Sequence, residues 1–269
     1  MVSHVKSLTE LLQQQTGVLV SVDDSQGSVP REKGTWMAVF AESVLGTIGG
    51  GHLEFQAIDI ARQRLTKPGG DELLRFALGP SLGQCCGGVV HLRFETVEYS
   101  DIDSLRQRLQ SKNQSVALFG GGHVGTALVK VLSLLPFDVH WIDSRDEIFP
   151  AQLPVNVICE HSDPVDAAVD TLSPQSRVLI MSFSHAEDLD VVAACLRRHR
   201  AQGDLPYIGL IGSKTKWATF RHRLVARGFS EEELAHITCP IGVPGIPGKE
   251  PEVIAVAVAA QLLQQTFSG

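Results

Sequence analysis

Five apolar runs with no polar face punctuate the second half of the chain: VALFGGG (116–122), DVHWID (138–143), NVICE (156–160), RVLIMSF (177–183) and YIGLIGS (207–213). Segments of helical length separate them. Strands that show no polar side, joined by helices, predict a parallel sheet covered on both faces. The first half has a different grammar. Short β-rich runs, VLVSV (18–22), TWMAVF (35–40) and VVHLRFETV (89–97), are interrupted by Gly and Pro, with one amphipathic helical stretch, LEFQAIDIARQRL (53–65). This predicts a small α+β domain. The grammar changes at the polar segment QSKNQS (110–115), which places the domains at 1–112 and 113–269. The last helix, opened by Pro251 and Glu252, is apolar nearly all round, which predicts burial.

A chain of 269 residues, 43% hydrophobic, has enough apolar surface for two such cores. Its formal net charge of −7 argues against a nucleic-acid binder that works by neutralising phosphates. The start carries no apolar core of signal-peptide length, and the longest apolar run, VIAVAVAAQLL (253–263), is too short for a bilayer. The expectation is a cytoplasmic protein with no membrane contact. Five cysteines, an odd number with three widely scattered, predict free thiols in a reducing compartment.

The second domain opens on a glycine turn. Gly120, Gly122 and Gly125 fit G-x-G-x-x-G directly after a strand and before a helix, the context of a Rossmann-like domain. There a helix N-terminus offers unpaired N–H groups to a phosphate. Asp143, at the end of the next strand, is placed to accept from a ribose hydroxyl, while Arg145 nearby would favour a 2′-phosphate, so NAD and NADP both stay open. The fold class is thus α/β, a C-terminal Rossmann-like domain with a parallel sheet preceded by a smaller α+β domain. Two more segments follow apolar runs, where ligands of such sheets bind. SFSHAEDLD (182–190) brings His185, Glu187 and Asp190 for proton transfer or a metal, against the plainer reading of a solvated helix start. IGSKTKW (211–217) brings Ser213, Lys214 and Lys216 for an anion, against the plainer reading of surface lysines.

Three glycine-rich loops mark the first domain: QGSVPREKG (26–34), GTIGGGHLEF (46–55) and GPSLGQCCGG (79–88). One would be an ordinary hairpin turn. Three with polar and thiol side chains predict a site, with Gly50, Gly51, His52 and Glu54 contributed by the second loop. The third loop holds Cys85 and Cys86 side by side. Adjacent Cα atoms stand ~3.8 Å apart, short of the ~4.4–6.8 Å of an ordinary disulfide, so a structural bridge is disfavoured. Without a C-x-x-C, zinc is weakly supported as well. A thiol exposed among backbone donors reads as a soft ligand or a sulfur carrier, against the plainer reading of a small core hydrophobe. Cys159, Cys195 and Cys239 lie in apolar contexts that predict core positions.

GSVPREKG, GTIGGGHLE and LGPSLGQCCGG, followed by LFGGGHVGTAL, WIDSR, IGLIGSKTK and CPIGVPGIPGKEPEVIAVAVAAQLL, resemble the XdhC/CoxI family over nearly the whole chain. The resemblance is to its XdhC branch, the xanthine dehydrogenase accessory proteins. Where the CoxI-like branch has G-S-V-S-G-G-C-V-E, this chain has His52 at the cysteine position, which moves the thiol chemistry to Cys85 and Cys86. The family's Thr-His-Asp after the fourth Rossmann strand appears as SFSHAEDLD, matching at His185 and Asp190.

The resemblance implies a protein without turnover of its own. It would bind molybdenum cofactor (molybdopterin), assist its sulfuration by a cysteine desulfurase, and deliver it to the large molybdenum-binding subunit of apo xanthine dehydrogenase, in contact with molybdenum cofactor biosynthesis proteins and as a homodimer. On that reading Cys85 or Cys86 contacts the molybdenum or relays sulfur, Gln84, Gly87 and Gly88 shape the pocket, and His52 and Glu54 face it. The main rival is an NAD(P)-dependent oxidoreductase built on the second domain, with His185 or Lys214 moving the proton. A redox sensor working through the vicinal thiols is a third class.

Overall fold

The structure, a computed structural model, describes residues 2–29, 31–67, 69–78, 88–109 and 113–266. Its contacts divide the chain into two units, residues 1–111 and 112–269.

In the first unit helix α1 (Val2–Leu12) is followed by β1 (Gly17–Gln26), β2 (Trp36–Val39), β3 (Val44–Gly46), α2 (Gly51–Thr66), β4 (Leu73–Ala77), β5 (Val89–Val97) and α3 (Ile102–Leu109). The strands make one antiparallel sheet in the order β3-β2-β1-β5-β4. Strand alternation sorts the side chains into two layers. Val18, Val20 and Val22 of β1 pack with Leu53, Ala57 and Ala61 of α2, an i, i+4, i+8 stripe whose two alanines let the helix lie close. Leu19 points the other way, to Leu8 and Leu12 of α1 and Ile102 and Leu105 of α3. Both faces of the sheet are therefore covered.

The antiparallel pairings fix where the connections emerge. Ser21 pairs with Trp36, Met37 with Gly46, and Val89 with both Gln26 and Ala77. The end of β1, the start of β2, the ends of β3 and β4 and the start of β5 thus share one edge. Connections 27–35, 47–50 and 78–88 all leave from it. Those are the three glycine-rich loops of the sequence.

The second unit runs β6 (Gln114–Phe119), α4 (His123–Leu132), β7 (Phe137–Asp143), β8 (Val157–His161), β9 (Arg177–Ile180), α5 (His185–Gln202), β10 (Tyr207–Leu210), α6 (Lys214–Ala226), α7 (Glu231–Leu234), β11 (Ile237–Thr238) and α8 (Pro251–Thr266). All pairings are parallel, in the order β11-β10-β9-β6-β7-β8. This is the doubly wound arrangement, whose ligand crevice opens where the order reverses, between β6 and β9. Ala117, Phe119, Val178 and Ile180 pack under α5 and α6, and Val116, Leu118, Val139 and Trp141 under α4 and α8.

Two features differ from the sequence reading. The links on either side of β8 carry short 3-10 segments, Asp146–Ile148 and Val165–Thr171, instead of helices. Helix α8 buries Ala255, Val258, Ala259 and Leu262 among α4 and sheet residues but leaves Val256 53% exposed, so its all-round apolarity exceeds its burial. Among the described residues no helix is long and apolar enough to cross a membrane.

Candidate functional site

At the β6/β9 crevice a cleft of about 390 Å³ is lined by Gly122 and His123, by Ser182 and His185, and by Asp188 and Lys216. The first turn of α4 faces it with N–H groups that no helix satisfies internally. The glycine turn is held from below. Gly120 takes φ +120°, and a Cβ there would lie 1.9 Å from the Met181 carbonyl oxygen, so only glycine lets the turn approach β9 this closely. Trp141 donates its indole N–H to the Gly120 carbonyl at 3.0 Å. In front of Gly122 a Cβ would meet nothing within 4 Å, which leaves room for a ligand at the helix N-terminus. The Ser182 hydroxyl oxygen, shielded from solvent, has no hydrogen-bond partner among the described residues.

Asp143 differs from its expected role. Its side chain is 1% exposed, and each oxygen already accepts two hydrogen bonds: Oδ1 from the N–H and Nε of Arg145, both at 2.9 Å, Oδ2 from Gly121 N–H at 2.6 Å and Arg145 Nη2 at 2.9 Å. Burial alone would raise its pKa; the hydrogen bonds and charge of Arg145, with the Gly121 N–H, outweigh that and hold the carboxyl below its ordinary range. The carboxylate thus ties β7 to the glycine turn and offers no free lone pair to a ribose. Arg145 lies over the exposed Phe183 ring, 4.4 Å from its centroid.

Of the polar residues expected after β9 and β10, the cleft gathers a different selection. His185 is exposed at the start of α5, edge-on to Phe220. Asp190 is turned away into a surface pair with Arg227. Glu187 accepts from Ser144 Oγ at 3.0 Å and from Phe183 N–H at 3.2 Å. Asp188 takes the inward place instead: it is 2% exposed and accepts from Ser182 N–H at 2.7 Å and from Lys216 Nζ at 2.5 Å. Ser213 caps α6 by accepting from Lys216 N–H at 3.1 Å, and Lys214 is exposed. Helical spacing carried the signal for Asp188, which was missed, and for Lys216, which was not. Asp188, Val192 and Cys195 share one stripe of α5, and Lys216, Phe220 and Leu224 one stripe of α6, so both charged residues lie in line with buried ones.

In the first unit the loop before α2 wraps around Glu54. Its Oε2 accepts from Thr47 Oγ1 at 2.5 Å, Ile48 N–H at 3.0 Å and Gly50 N–H at 3.1 Å. Gly49, Gly50 and Gly51 all have positive φ (122°, 76° and 68°), a run of left-handed backbone that glycine adopts without strain. Glu54 therefore holds its own loop. His52 is exposed one helical turn from Gln56, with Nε2 3.2 Å from Gln56 Nε2, and Phe55 beside it is 70% exposed. Gly88 is buried where the third loop rejoins the sheet; a Cβ would lie 2.5 Å from the Ser28 carbonyl oxygen, so the first and third loops touch there. Gln84, Cys85, Cys86 and Gly87 lie outside the described residues.

The remaining thiols do not suit thiolate chemistry. Cys195 is fully buried, which pushes its pKa up to about 12, and burial raises Cys159 and Cys239 as well. Among the described residues no three His, Cys, Asp or Glu side chains gather as a metal site.

The fold is that of a doubly wound, Rossmann-type unit preceded by an antiparallel sheet with helices on both faces. The chain belongs to the XdhC and CoxI family: residues 116–262 match the XdhC Rossmann domain and residues 11–77 the XdhC and CoxI family domain. The cysteine loop falls between the two matched segments. A curated relative, the uncharacterized protein YqeB of Escherichia coli K12, is 26% identical over 91% of the chain. The chain spans 43% of that relative's length. A crystal structure described as a xanthine dehydrogenase from Bacillus halodurans shares the fold, with a TM-score of 0.78 and 19% identity over 98% of this chain and 96% of that one.

Proposed function

We propose that the protein is an accessory factor of xanthine dehydrogenase that binds molybdenum cofactor, keeps it during sulfuration by a cysteine desulfurase, and delivers it to the apo large subunit. The observation that carries this reading is the departure of three glycine-rich loops from one edge of the first sheet, the third bearing Cys85 and Cys86. A pterin asks for backbone donors and acceptors along its edge, its phosphate for N–H groups, and the metal–dithiolene end for a soft ligand. Loops built on glycine supply the first two, and a vicinal thiol pair the third. Family membership points the same way. Among the described residues of these loops, His52 stands at the end of the second and Gly88 at the end of the third, while Glu54 acts by shaping its loop.

The second unit supports a subsidiary role. Its cleft presents the α4 N-terminus and the unpartnered Ser182 hydroxyl, a set suited to a phosphate-bearing group, beside the Lys216–Asp188 pair. A dinucleotide-dependent oxidoreductase is the less supported reading, because Asp143 is already occupied by four donors.

The test is to express the protein in cells that make molybdenum cofactor, purify it without oxygen, and quantify released pterin by its oxidised fluorescence. Near-stoichiometric pterin in the native protein, lost in Cys85→Ser or Cys86→Ser, is the expected result. Pterin unchanged in the double serine variant would remove the thiol assignment. Absence of pterin from every form would remove the carrier reading.

A further inference from the structure

At the N-terminal edge of the second sheet, opposite the glycine turn, a pocket of about 480 Å³ is lined by Ser115, Pro174, Gln175, Arg177 and Pro206 together with Asn113. Arg177 opens β9, the strand between β6 and β10, so its side chain rises from the middle of the sheet edge. Its Nε is buried without a hydrogen-bond partner, and no carboxylate pairs with it among the described residues.

This departs from how the chain treats Arg198 and Arg145. Arg198 is held by Asp204 and by the carbonyls of Val169 and Leu172, and Arg145 by Asp143. The acids near the pocket have other partners: Asp138 accepts from Asn113 Nδ2 at 2.9 Å, and Asp204 takes Arg198. Burial lowers the Arg177 pKa with no neighbouring charge to offset it. Gln175, also in the lining, is the one non-glycine residue of positive φ among the described residues, at 64°. A desolvated donor left unpaired is unfavourable, and more so when charged, so an arginine whose Nε is kept in that state calls for an occupant.

We infer that this pocket binds a small carboxylate-bearing molecule through Arg177. A guanidinium fork matches the two oxygens of a carboxylate. The other lining residues are neutral, with the Gln175 amide and the Ser115 hydroxyl as polar groups and two prolines as apolar walls for a short carbon skeleton. The volume falls within the range of small-molecule sites. The site is independent of cofactor handling at the glycine loops, and its failure would leave that reading untouched.

The test uses the full chain, with succinate as the probe and sodium chloride of equal ionic strength as the control. Succinate is expected to raise the melting temperature of the native protein and to shift the Arg177 Nε–H resonance in a 15N-edited spectrum. Arg177→Gln is expected to be at least as stable as the native chain without ligand, since it removes an unpaired cation, and to bind succinate at least tenfold more weakly. If that variant does not fold, the Nε–H titration of the native protein decides alone. An equal response to sodium chloride, an unmoved Nε–H resonance, or a folded Arg177→Gln protein that binds succinate unchanged would overturn the proposal. A response to inorganic phosphate but not to succinate would overturn the choice of a carboxylate.

Discussion

Two glycine turns, one in each unit, run into the start of a helix and gather their N–H groups on a carboxylate, and they differ in where that carboxylate comes from. In the first unit Glu54 belongs to the helix that the turn introduces, and it accepts from Thr47, Ile48 and Gly50 within seven residues of chain. In the second, Asp143 comes from the following strand, 22 residues beyond Gly121, and arrives already paired with Arg145. The first device is local and partly open to water. The second is buried and bolts a turn, two strands and an arginine together. A loop held by its own neighbour can open while the sheet stays intact, whereas the Asp143 joint opens only when the core around it does.

The sharpest way to break this contrast is at Gly120, whose added Cβ would meet the Met181 carbonyl oxygen at 1.9 Å in a left-handed backbone. Gly120→Ala is expected to cost on the order of 4 kcal/mol in urea unfolding or to prevent the second unit from folding. A loss below about 1 kcal/mol would contradict the close approach of turn and strand.

Next in size is Asp143→Ala, which strands Arg145 and the Gly121 N–H and is expected to cost about 3 kcal/mol. Because the folded-state pKa of Asp143 is depressed, its contribution is present above the unfolded pKa, near ~3.9, and fades as the pH falls through the lower folded value. The native protein should therefore lose stability at acid pH more steeply than the alanine variant. Parallel acid limbs would show that Asp143 is not the linked group.

Glu54→Gln keeps the shape but removes the charge, and is expected to cost about 1–1.5 kcal/mol locally. Hydrogen exchange at Ile48 and Gly50 should quicken about tenfold while the strand amides stay as slow as before. Slowed or unchanged exchange at both would show that the loop does not depend on Glu54.

The smallest effect is expected at Gly122, where φ is −66° and a Cβ would meet nothing within 4 Å. Gly122→Ala should stay within about 0.5 kcal/mol of the native stability in the same urea assay. A loss approaching that of Gly120→Ala would erase the distinction between a turn position packed on the sheet and one facing the cleft.

Legibility in the sequence followed the range of the forces involved. The five apolar runs, the glycine turn and Ser213 at the start of α6 are local signals, and the doubly wound unit could be read from them. Short or half-exposed elements could not. Strand β3 has three residues, β11 two, and β4 alternates between exposed and partly buried positions, so none stands out by pattern. Helix α1 sits in a stretch read for targeting signals alone, although Leu8 and Leu12 at i, i+4 mark its buried face. At the site, the glycine positions were legible because backbone geometry restricts the residue type. Asp188 was passed over beside Glu187 and Asp190, although the apolar stripe of α5 places it inward, while Lys216 was named together with Lys214. The Asp143 joint depends on a strand pairing that no local pattern contains.

The hydrogen bond from Trp141 to Gly120 makes the turn optically visible. The indole is 1% exposed, stands edge-on to Phe149, and has its one polar atom on the carbonyl of the first glycine of the turn. Any ligand that pulls on that glycine alters the field at a buried fluorophore. With Trp36 and Trp217 replaced by phenylalanine, emission from the remaining indole would follow occupancy of the crevice in real time, with no label attached.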